Sequence, residues 1–538
     1  MVRLRVAPSQ HRTEGRGLST TISRALAPPL TWRVPLTPAV VFGGLVVCLL
    51  VLRAVTGFYW MQGEVDWGAY LLSRNYVLGL DVTQADRLRP LLGPGWLLVP
   101  FTALWGDHYG LIMFEIVGSF GPIIPLWLLC RRWFTEWQTI GIIAFFSMDL
   151  ILAEMFVTGI LPILGFSLTT LTIWALFNLA ERWRWRDALV VIVALGLTAH
   201  TNQTSSGLAL IAVPTIMLGR LTFSRDWAGF RRMLWACLIA APLTMTALPW
   251  YGGVVPGNDT LRFPGPLLSA GGPWTFDWWK AYAGFFVAGS VLWHTRHGSN
   301  PALKAFAALL VVTSTLRMFM SHDEALMNIF YRSQHLTSFI IYPLLGWLTF
   351  KVWMPALLRH WHKAIVAATA LLIFALFSFG FVHNVAKQAA YSQMVSNDTL
   401  EAIAYVKANP LPGVVSTNSN SLGLYISALS GQKTSWVTIE SPPKAWSAQH
   451  FDNLCIWGII ECYLEAALER TPTGYILLEE LWWYQRDFWG PATVEIGRIY
   501  GITERPYPWW RAKGAPWIEP IGQWGTVFLG RVKTDENW

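Results

Sequence analysis

The chain has 538 residues, of which 54% are hydrophobic and only 13% charged, whereas soluble domains carry about a quarter charged residues. Its formal net charge is +8, but the basic residues lie in short segments between apolar runs. They form no continuous basic face, which argues against a nucleic-acid-binding protein. Apolar runs of about 20 residues, the length that a membrane-spanning helix needs, recur from Val34 to Asn384. The composition therefore indicates an integral membrane protein.

The apolar runs predict an α-helical polytopic membrane protein with about eleven transmembrane helices. An arginine-rich segment, residues 1–33, precedes them and is predicted to be a disordered cytosolic tail before a first, uncleaved span. The transmembrane domain is predicted over residues 34–384. Its spans are expected at 35–56, 109–130, 138–156, 158–180, 187–200, 203–220, 232–251, 278–293, 302–320, 334–352 and 363–384.

Loop charges give the orientation of these spans. Lysine and arginine collect in alternate loops, whereas segments 57–108, 252–277 and 321–333 hold few of them. By the positive-inside rule, the basic loops and the N-terminus are cytosolic. An odd number of spans then places residues 385–538 outside the cytosol, with the long loop 57–108 on the same side.

Residues 385–538 have the composition of a globular domain. Helix-like runs at 399–409 and 453–469 alternate with strand-like runs at 474–478 and 525–532, which predicts a small extracytoplasmic α/β domain. Cys455 and Cys462 allow two interpretations: a disulfide in an oxidising compartment, or two buried thiols two turns apart on one helix.

The first outer loop begins with an acidic motif, Glu64-Val65-Asp66-Trp67-Gly68-Ala69-Tyr70. Its two carboxylates lie at the membrane boundary, where desolvation raises the pKa of a carboxyl group and so its basicity. A base at this position would deprotonate an acceptor hydroxyl. On the residues alone, however, a solvated acidic start of a loop explains the motif better.

Residues 63–130 resemble the start of a GT-C glycosyltransferase, the polytopic class that uses sugars linked to lipid phosphates. Four motifs carry the resemblance: Glu64-Val65-Asp66-Trp67, Asp81-Val82-Thr83, Arg89-Pro90-Leu91-Leu92-Gly93-Pro94-Gly95-Trp96, and Arg131-Arg132 after the next span. The first is similar to mannosyltransferases that use dolichyl-phosphate-mannose, and the third to bacterial protein mannosyltransferases and aminoarabinose transferases. The resemblance implies that Asp66, with Glu64 as second choice, activates or positions the acceptor.

A second motif, Tyr331-Arg332, precedes Ile341-Tyr342-Pro343-Leu344 and is similar to the Arg-Tyr pair of the class, in reversed order. A guanidinium binds phosphate oxygens bidentately, so the resemblance implies that Arg332, with Arg89 and Tyr331, binds the donor phosphate. An arginine that extends to the lipid headgroups is the alternative.

Six further residues are predicted to line the cavity: His200, Asn202, Trp67, Tyr70, Asp107 and His108. The turn that contains His200 and Asn202 has a second interpretation, a capped tight connection between two spans.

The sequence contains no metal-ligand spacing, nucleotide fingerprint or nucleophile elbow, so no cofactor is predicted. The resemblance implies a glycosyltransferase at the outer face of the plasma membrane. It would move a sugar, mannose as first expectation, from a polyprenyl-phosphate-linked donor to a glycan, lipid or protein acceptor.

Two alternatives stay open: a transporter or flippase of a lipid-linked or sugar substrate, and a non-catalytic assembly protein of the same fold. Charged residues concentrate at the outer boundary rather than at the midplane, where transport sites lie, which favours the transferase.

Overall fold

The computed structural model describes residues 37–55, 65–80, 92–149, 160–201, 203–247, 276–298, 300–318, 324–391, 397–417, 420–436, 474–479, 518–525 and 527–532. The helices up to residue 391 are α1 Pro38–Val55, α2 Val65–Val77, α3 Leu92–Gly118, α4 Ile123–Cys130, α5 Glu136–Ser147, α6 Ile160–Glu181, α7 Trp185–Ala199, α8 Gln203–Ser224, α9 Trp227–Met245, α10 Phe276–Thr295, α11 Pro301–Leu316, α12 Glu324–Leu348, α13 Met354–His360 and α14 Lys363–Tyr391. Each of the eleven predicted spans overlaps one or two of these helices.

Four of the described helical stretches are long and apolar enough to cross a membrane. They are Gly95–Cys130, Ser205–Ser224, Ser333–His360 and Lys363–His383, and Pro38–Ala54 and Pro301–Leu316 are shorter apolar helices. The count of eleven spans therefore stays a prediction, although every predicted span contains helix in its described part.

The first outer loop is more helical than the predicted boundaries 57–108 imply. Helix α3 begins at Leu92 and continues to Gly118, with a kink at Gly106, whose φ of 75° lies in the left-handed region. Glycine takes this conformation without a steric penalty. A turn at 119–122 then separates α3 from α4, so the predicted span 109–130 comprises the end of α3, this turn and α4.

Helix α12 is also longer than its predicted span. It begins at Glu324 and continues through a π-helical segment, Thr349–Trp353, into α13. Pro343 lies inside α12, and Pro355 lies in the first turn of α13. Tyr331 and Arg332 therefore lie inside a helix rather than in a loop that precedes one.

Phenylalanines fill the centre of the helix bundle. Phe306 of α11 meets Phe177 of α6 and Phe339 of α12 with ring centroids 5.8 and 6.3 Å apart. Phe339 also meets Phe166 and Phe146 at 6.0 and 6.2 Å, again edge to face. Edge-to-face contacts contribute about 0.5–1.5 kcal/mol each beyond area burial, and these join α5, α6, α11 and α12 in one core.

Three of the predicted basic loops meet at one end of the bundle. Arg132, after α4, donates to the Oδ1 of Asn178 at 2.8 Å and forms an ion pair with Glu181 at the end of α6. Arg232 of α9 donates to the carbonyl oxygen of Glu181 at 2.6 Å. These contacts agree with the assignment of the three loops to one side, which the positive-inside rule predicts to be cytosolic.

The C-terminal domain combines two helices, α15 Asn397–Ala408 and α16 Asn420–Ser430, with one mixed sheet. Its strands are β1 Val415–Thr417, β2 Thr434–Trp436, β3 Tyr475–Glu479, β4 Ile518–Trp524 and β5 Val527–Val532, in the order β2-β1-β3-β5-β4. Strand β1 pairs in parallel with β2 and β3, and β5 pairs antiparallel with β3 and β4.

The described part of this domain agrees with the α/β prediction. The predicted helix 399–409 is α15, and the strands 474–478 and 525–532 are β3 and β5. The predicted helix 453–469, with Cys455 and Cys462, lies outside the described residues.

The C-terminal domain shares a second hydrophobic core with the first outer loop. Tyr70 and Leu71 of α2 and Leu111 of α3 are buried in the same cluster as Ile403 of α15 and Tyr425 of α16. The helix with the acidic motif is therefore enclosed between the bundle and the C-terminal domain.

Candidate functional site

Helix α2 carries the candidate base. Asp66 is its second residue, where a carboxylate favours a helix by offsetting the positive end of the helix dipole. The side chains of Asp66 and Trp67 lie outside the described part of the structure, as do Glu64 and Arg89. The structure thus locates the backbone of the predicted base, and the catalytic roles of Asp66 and Glu64 stay predictions.

The body of α2 is buried on several faces. Tyr70 is 1% exposed, and its ring lies edge to face with Phe114 of α3 at 6.0 Å between centroids. It belongs to the core that α2 shares with the C-terminal domain.

Gly95, the last glycine of the third motif, lies where only a glycine fits. It lies in α3 against α2, and a Cβ at this position would be 2.6 Å from the backbone oxygen of Ser73. Because real Cβ atoms do not approach so closely, any side chain at residue 95 would displace α2. The motif that carries the family resemblance thus sets the distance between α3 and the helix of Asp66.

A buried polar cluster holds the other end of α2. Arg74 forms an ion pair with Asp107 of α3 and donates through its Nε and Nη2 atoms to the Oδ1 of Asn75, at 3.1 and 2.6 Å. The Nδ2 of Asn75 donates to the carbonyl oxygen of Ala428 in α16 at 2.9 Å. The cluster links α2 both to the bundle and to the C-terminal domain.

Asp107 and His108, which were predicted to line the cavity, lie at this junction. Asp107 accepts from Arg74, and the Nδ1 of His108 lies 3.0 Å from the hydroxyl of Tyr425. Burial raises the pKa of Tyr425, and the carboxylates of Asp107 and Glu115 raise it further, so the phenol is protonated at neutral pH. The structure gives both residues contacts between elements, and their role in a cavity stays a prediction.

Beside this cluster lies a buried ion pair. The Nη2 of Arg53 at the end of α1 is 3.0 Å from the Oε2 of Glu115 in α3, and both side chains are fully buried. Sequence reasoning missed this pair, although the signal was present: each residue is a charge inside a predicted apolar span. Charges in such positions are rare and usually functional.

Another buried ion pair, between Asp149 and Lys280, joins three helices of the bundle. Asp149, just after α5, accepts from the Nζ of Lys280 in α10 at 2.9 Å and from the hydroxyl of Tyr342 in α12 at 2.8 Å. Its side chain is only 2% exposed. No role was predicted from the sequence for Asp149 and Lys280 either, although both are charges within predicted spans.

His200 occupies a tight polar turn. It caps the C-terminus of α7, and its Nε2 lies 3.0 Å from the Oγ1 of Thr246 after α9. A Cβ at Gly165 of α6 would clash with Ser205 of α8, which shows how closely these helices approach. These contacts agree with a capped connection, the role of His200 in a cavity stays a prediction, and Asn202 lies outside the described residues.

Tyr331 and Arg332 lie in the first half of α12, and their side chains are outside the described part of the structure. The residues that follow are buried in the bundle: the Oγ of Ser333 is 3.3 Å from the carbonyl oxygen of Thr313 in α11, and the ring of His335 meets Phe166 at 6.0 Å. Phosphate binding by Arg332 stays a prediction.

Among the described residues, no group of three or more histidine, cysteine, aspartate or glutamate side chains is placed to hold a metal ion.

Comparison with known proteins gives the class of fold. No protein-family model and no curated protein sequence matches the chain significantly. The structure is similar to ArnT from Cupriavidus metallidurans bound to undecaprenyl phosphate, with a TM-score of 0.50, 12% identity, and 92% of this chain and 97% of that chain covered.

It is similar also to the archaeal oligosaccharyltransferase AglB from Archaeoglobus fulgidus in complex with an inhibitory peptide and a dolichol-phosphate. The TM-score is 0.50 at 11% identity, covering 82% of this chain and 70% of that chain. Apo ArnT gives a TM-score of 0.50 at 12% identity, covering 92% and 98%. The predicted resemblance to GT-C glycosyltransferases is confirmed at the level of the fold, and the chain is an integral membrane protein.

Proposed function

We propose that the protein is a glycosyltransferase that moves a sugar from a polyprenyl-phosphate-linked donor to an acceptor. One observation carries the proposal: α2, with Asp66 in its first turn, is enclosed between α3 and the C-terminal domain. The fold supports it, because the similar ArnT and AglB structures contain undecaprenyl phosphate and dolichol-phosphate.

In this proposal the acceptor hydroxyl attacks the anomeric carbon of the donor sugar, and the bond from that carbon to the phosphate oxygen breaks. Asp66, with Glu64 as second choice, takes the hydroxyl proton. Arg332, with Arg89 and Tyr331, binds the departing phosphate, on which negative charge develops in the transition state. The polyprenyl phosphate leaves with the electron pair of the broken bond.

The sugar and the acceptor are less defined. Mannose is the first expectation because the 64–70 motif resembles mannosyltransferases that use lipid-linked mannose. The acceptor is a glycan, lipid or protein on the predicted outer face of the plasma membrane, where the C-terminal domain covers α2.

One observation bears on the alternative of a transporter or flippase. Asp149 and Lys280 form an ion pair between helices of the bundle, and ionisable residues inside a membrane often mark a transport path. The carboxylate also accepts from Tyr342, which fits a structural contact equally well.

The experiment is transfer by the purified full-length protein in liposomes with radiolabelled polyprenyl-phosphate sugars. Asp66→Asn is expected to lower turnover by at least a hundredfold, because the amide cannot accept the proton. Glu401→Gln also replaces a carboxylate by its amide, but on an exposed residue of α15. It is the matched control and should keep wild-type turnover. Near wild-type turnover of Asp66→Asn, or label crossing sealed vesicles without a glycosidic product, would contradict the proposal.

A further inference from the structure

Asn75 joins the helix of the candidate base to the C-terminal domain. Its Nδ2 donates to the carbonyl oxygen of Ala428, 353 residues later in the chain, at 2.9 Å. Its Oδ1 accepts two hydrogen bonds from Arg74, and the residue is 7% exposed. Both polar atoms of the amide therefore have partners on opposite sides.

The partners of Asn75 are themselves fixed. Arg74 uses its Nη1 to bind Asp107 of α3, so its guanidinium is held by the bundle. Ala428 lies in α16, which packs against β1 and β2 of the C-terminal domain. Asn75 is thus the link in a chain of contacts that runs from α3 through α2 to the C-terminal sheet.

The geometry of a short helix makes this link important for Asp66. Asn75 lies nine positions after Asp66, which is about 13.5 Å along the helix at 1.5 Å per residue. A tilt of roughly 5° about the Asn75 end would move the Asp66 end by about 1 Å over that length. A misplacement of about 1 Å can cost about a hundredfold in rate.

We infer that Asn75 is a positioning residue, through which the C-terminal domain sets the orientation of α2 and hence the position of Asp66. This inference rests on the proposed function. It gives the C-terminal domain a part in the chemistry beyond covering the site, since this domain supplies the acceptor of the hydrogen bond.

Asn75→Asp is the sharpest test. The carboxylate keeps both acceptor contacts with Arg74 but has no N–H to donate to the carbonyl oxygen of Ala428. We expect kcat per folded enzyme to fall about tenfold to a hundredfold, with the KM for the polyprenyl-phosphate sugar changed less than threefold. Asn75→Ala, which loses all three hydrogen bonds, should lower kcat at least as much.

Gln432→Ala is the matched control. Gln432 is also a buried amide, and the three hydrogen bonds that it exchanges with Leu411 and Gly413 all lie inside the C-terminal domain. It should lower the melting temperature as the Asn75 variants do, but keep wild-type kcat per folded enzyme.

The outcomes separate the two claims. A wild-type kcat in folded Asn75→Asp, or an equal loss of kcat in Gln432→Ala, would overturn the inference. The proposed function would stay intact in either case, as long as the wild type transfers the sugar. Absence of transfer by the wild type itself would instead remove the proposed function. If Asn75→Asp does not fold, Asn75→Ala, which also lacks the donor, replaces it and is held to the same kcat criterion.

Discussion

The guanidinium of Arg53 lies 3.0 Å from the carboxylate of Glu115, and both side chains are fully buried. The pair joins the end of α1 to α3, 62 residues apart in sequence. An isolated charge in a medium of low dielectric costs several kcal/mol, and a partner of opposite sign offsets most of that cost. The pair is therefore expected to matter most when only one of its members is removed.

Replacing one member should be more harmful than replacing both. Arg53→Met or Glu115→Met alone leaves a buried charge without its partner and is expected to destabilise the protein by about 3–5 kcal/mol. The double variant should recover most of that loss. Unfolding of the three variants in detergent, read as a double-mutant cycle, measures the coupling. Additive losses would show that the two charges do not depend on each other.

The positions of the helices could be predicted from the sequence because the signal for a membrane span, an apolar run, lies within the span itself. An apolar run of the right length predicts a helix wherever it lies, and the run ending at Asn384 became α14 as expected. The turn at 119–122 was missed because Phe120 and Pro122 keep the run apolar across it. The kink at Gly106 was missed because hydropathy carries no information on φ.

Contacts between distant segments could not be predicted in the same way. Charges inside spans signalled that Arg53 and Glu115 need partners, but no periodicity says which charge meets which. Nothing near Asn75 in sequence indicates that it binds Ala428. The site is therefore predictable as a set of motifs, whereas its enclosure by the C-terminal domain is visible only in the folded chain.

Gly95→Ala should separate α2 from α3. A methyl group at this position would lie 2.6 Å from the backbone oxygen of Ser73, and overpacking of this kind costs about 1–3 kcal/mol. We expect a lower melting temperature and at least a tenfold loss of transfer, measured on the folded fraction. Gly141→Ala is the control, because a Cβ there in α5 meets no atom within 4 Å. Equal behaviour of the two variants would contradict the proposed contact.

Lys280→Met tests whether the Asp149 pair is structural or part of a transport path. The substitution removes the ion-pair partner of the Asp149 carboxylate and keeps its contact with Tyr342, so we expect a stability loss of about 3–5 kcal/mol. Asp149→Asn combined with Lys280→Met should recover much of this stability and restore sugar transfer by the folded protein. Loss of transfer in a stable double variant would instead assign the pair a role in function.

Because of Asp226, the free energy of unfolding should change with pH in the acid range. Burial alone would raise the pKa of its carboxyl group, but the N–H of Gly229 and the guanidinium of Arg220, 2.5 Å away, together hold it below its usual value. A folded-state pKa below that of the unfolded chain contributes stability above about pH 4, where the carboxylate is charged in both states. That contribution disappears as the pH falls through the folded-state pKa.

Asp226→Asn is the variant that isolates this effect, because asparagine caps the N-terminus of α9 about as well as aspartate. The wild type should melt at a higher temperature than the variant at pH 7, and the difference should shrink steadily below about pH 4. Melting curves of both proteins in detergent, recorded from pH 7 to below about pH 4, measure this difference. A difference that stays constant, or grows towards acid pH, would mean that the ion pair of Arg220 and Asp226 does not stabilise this turn.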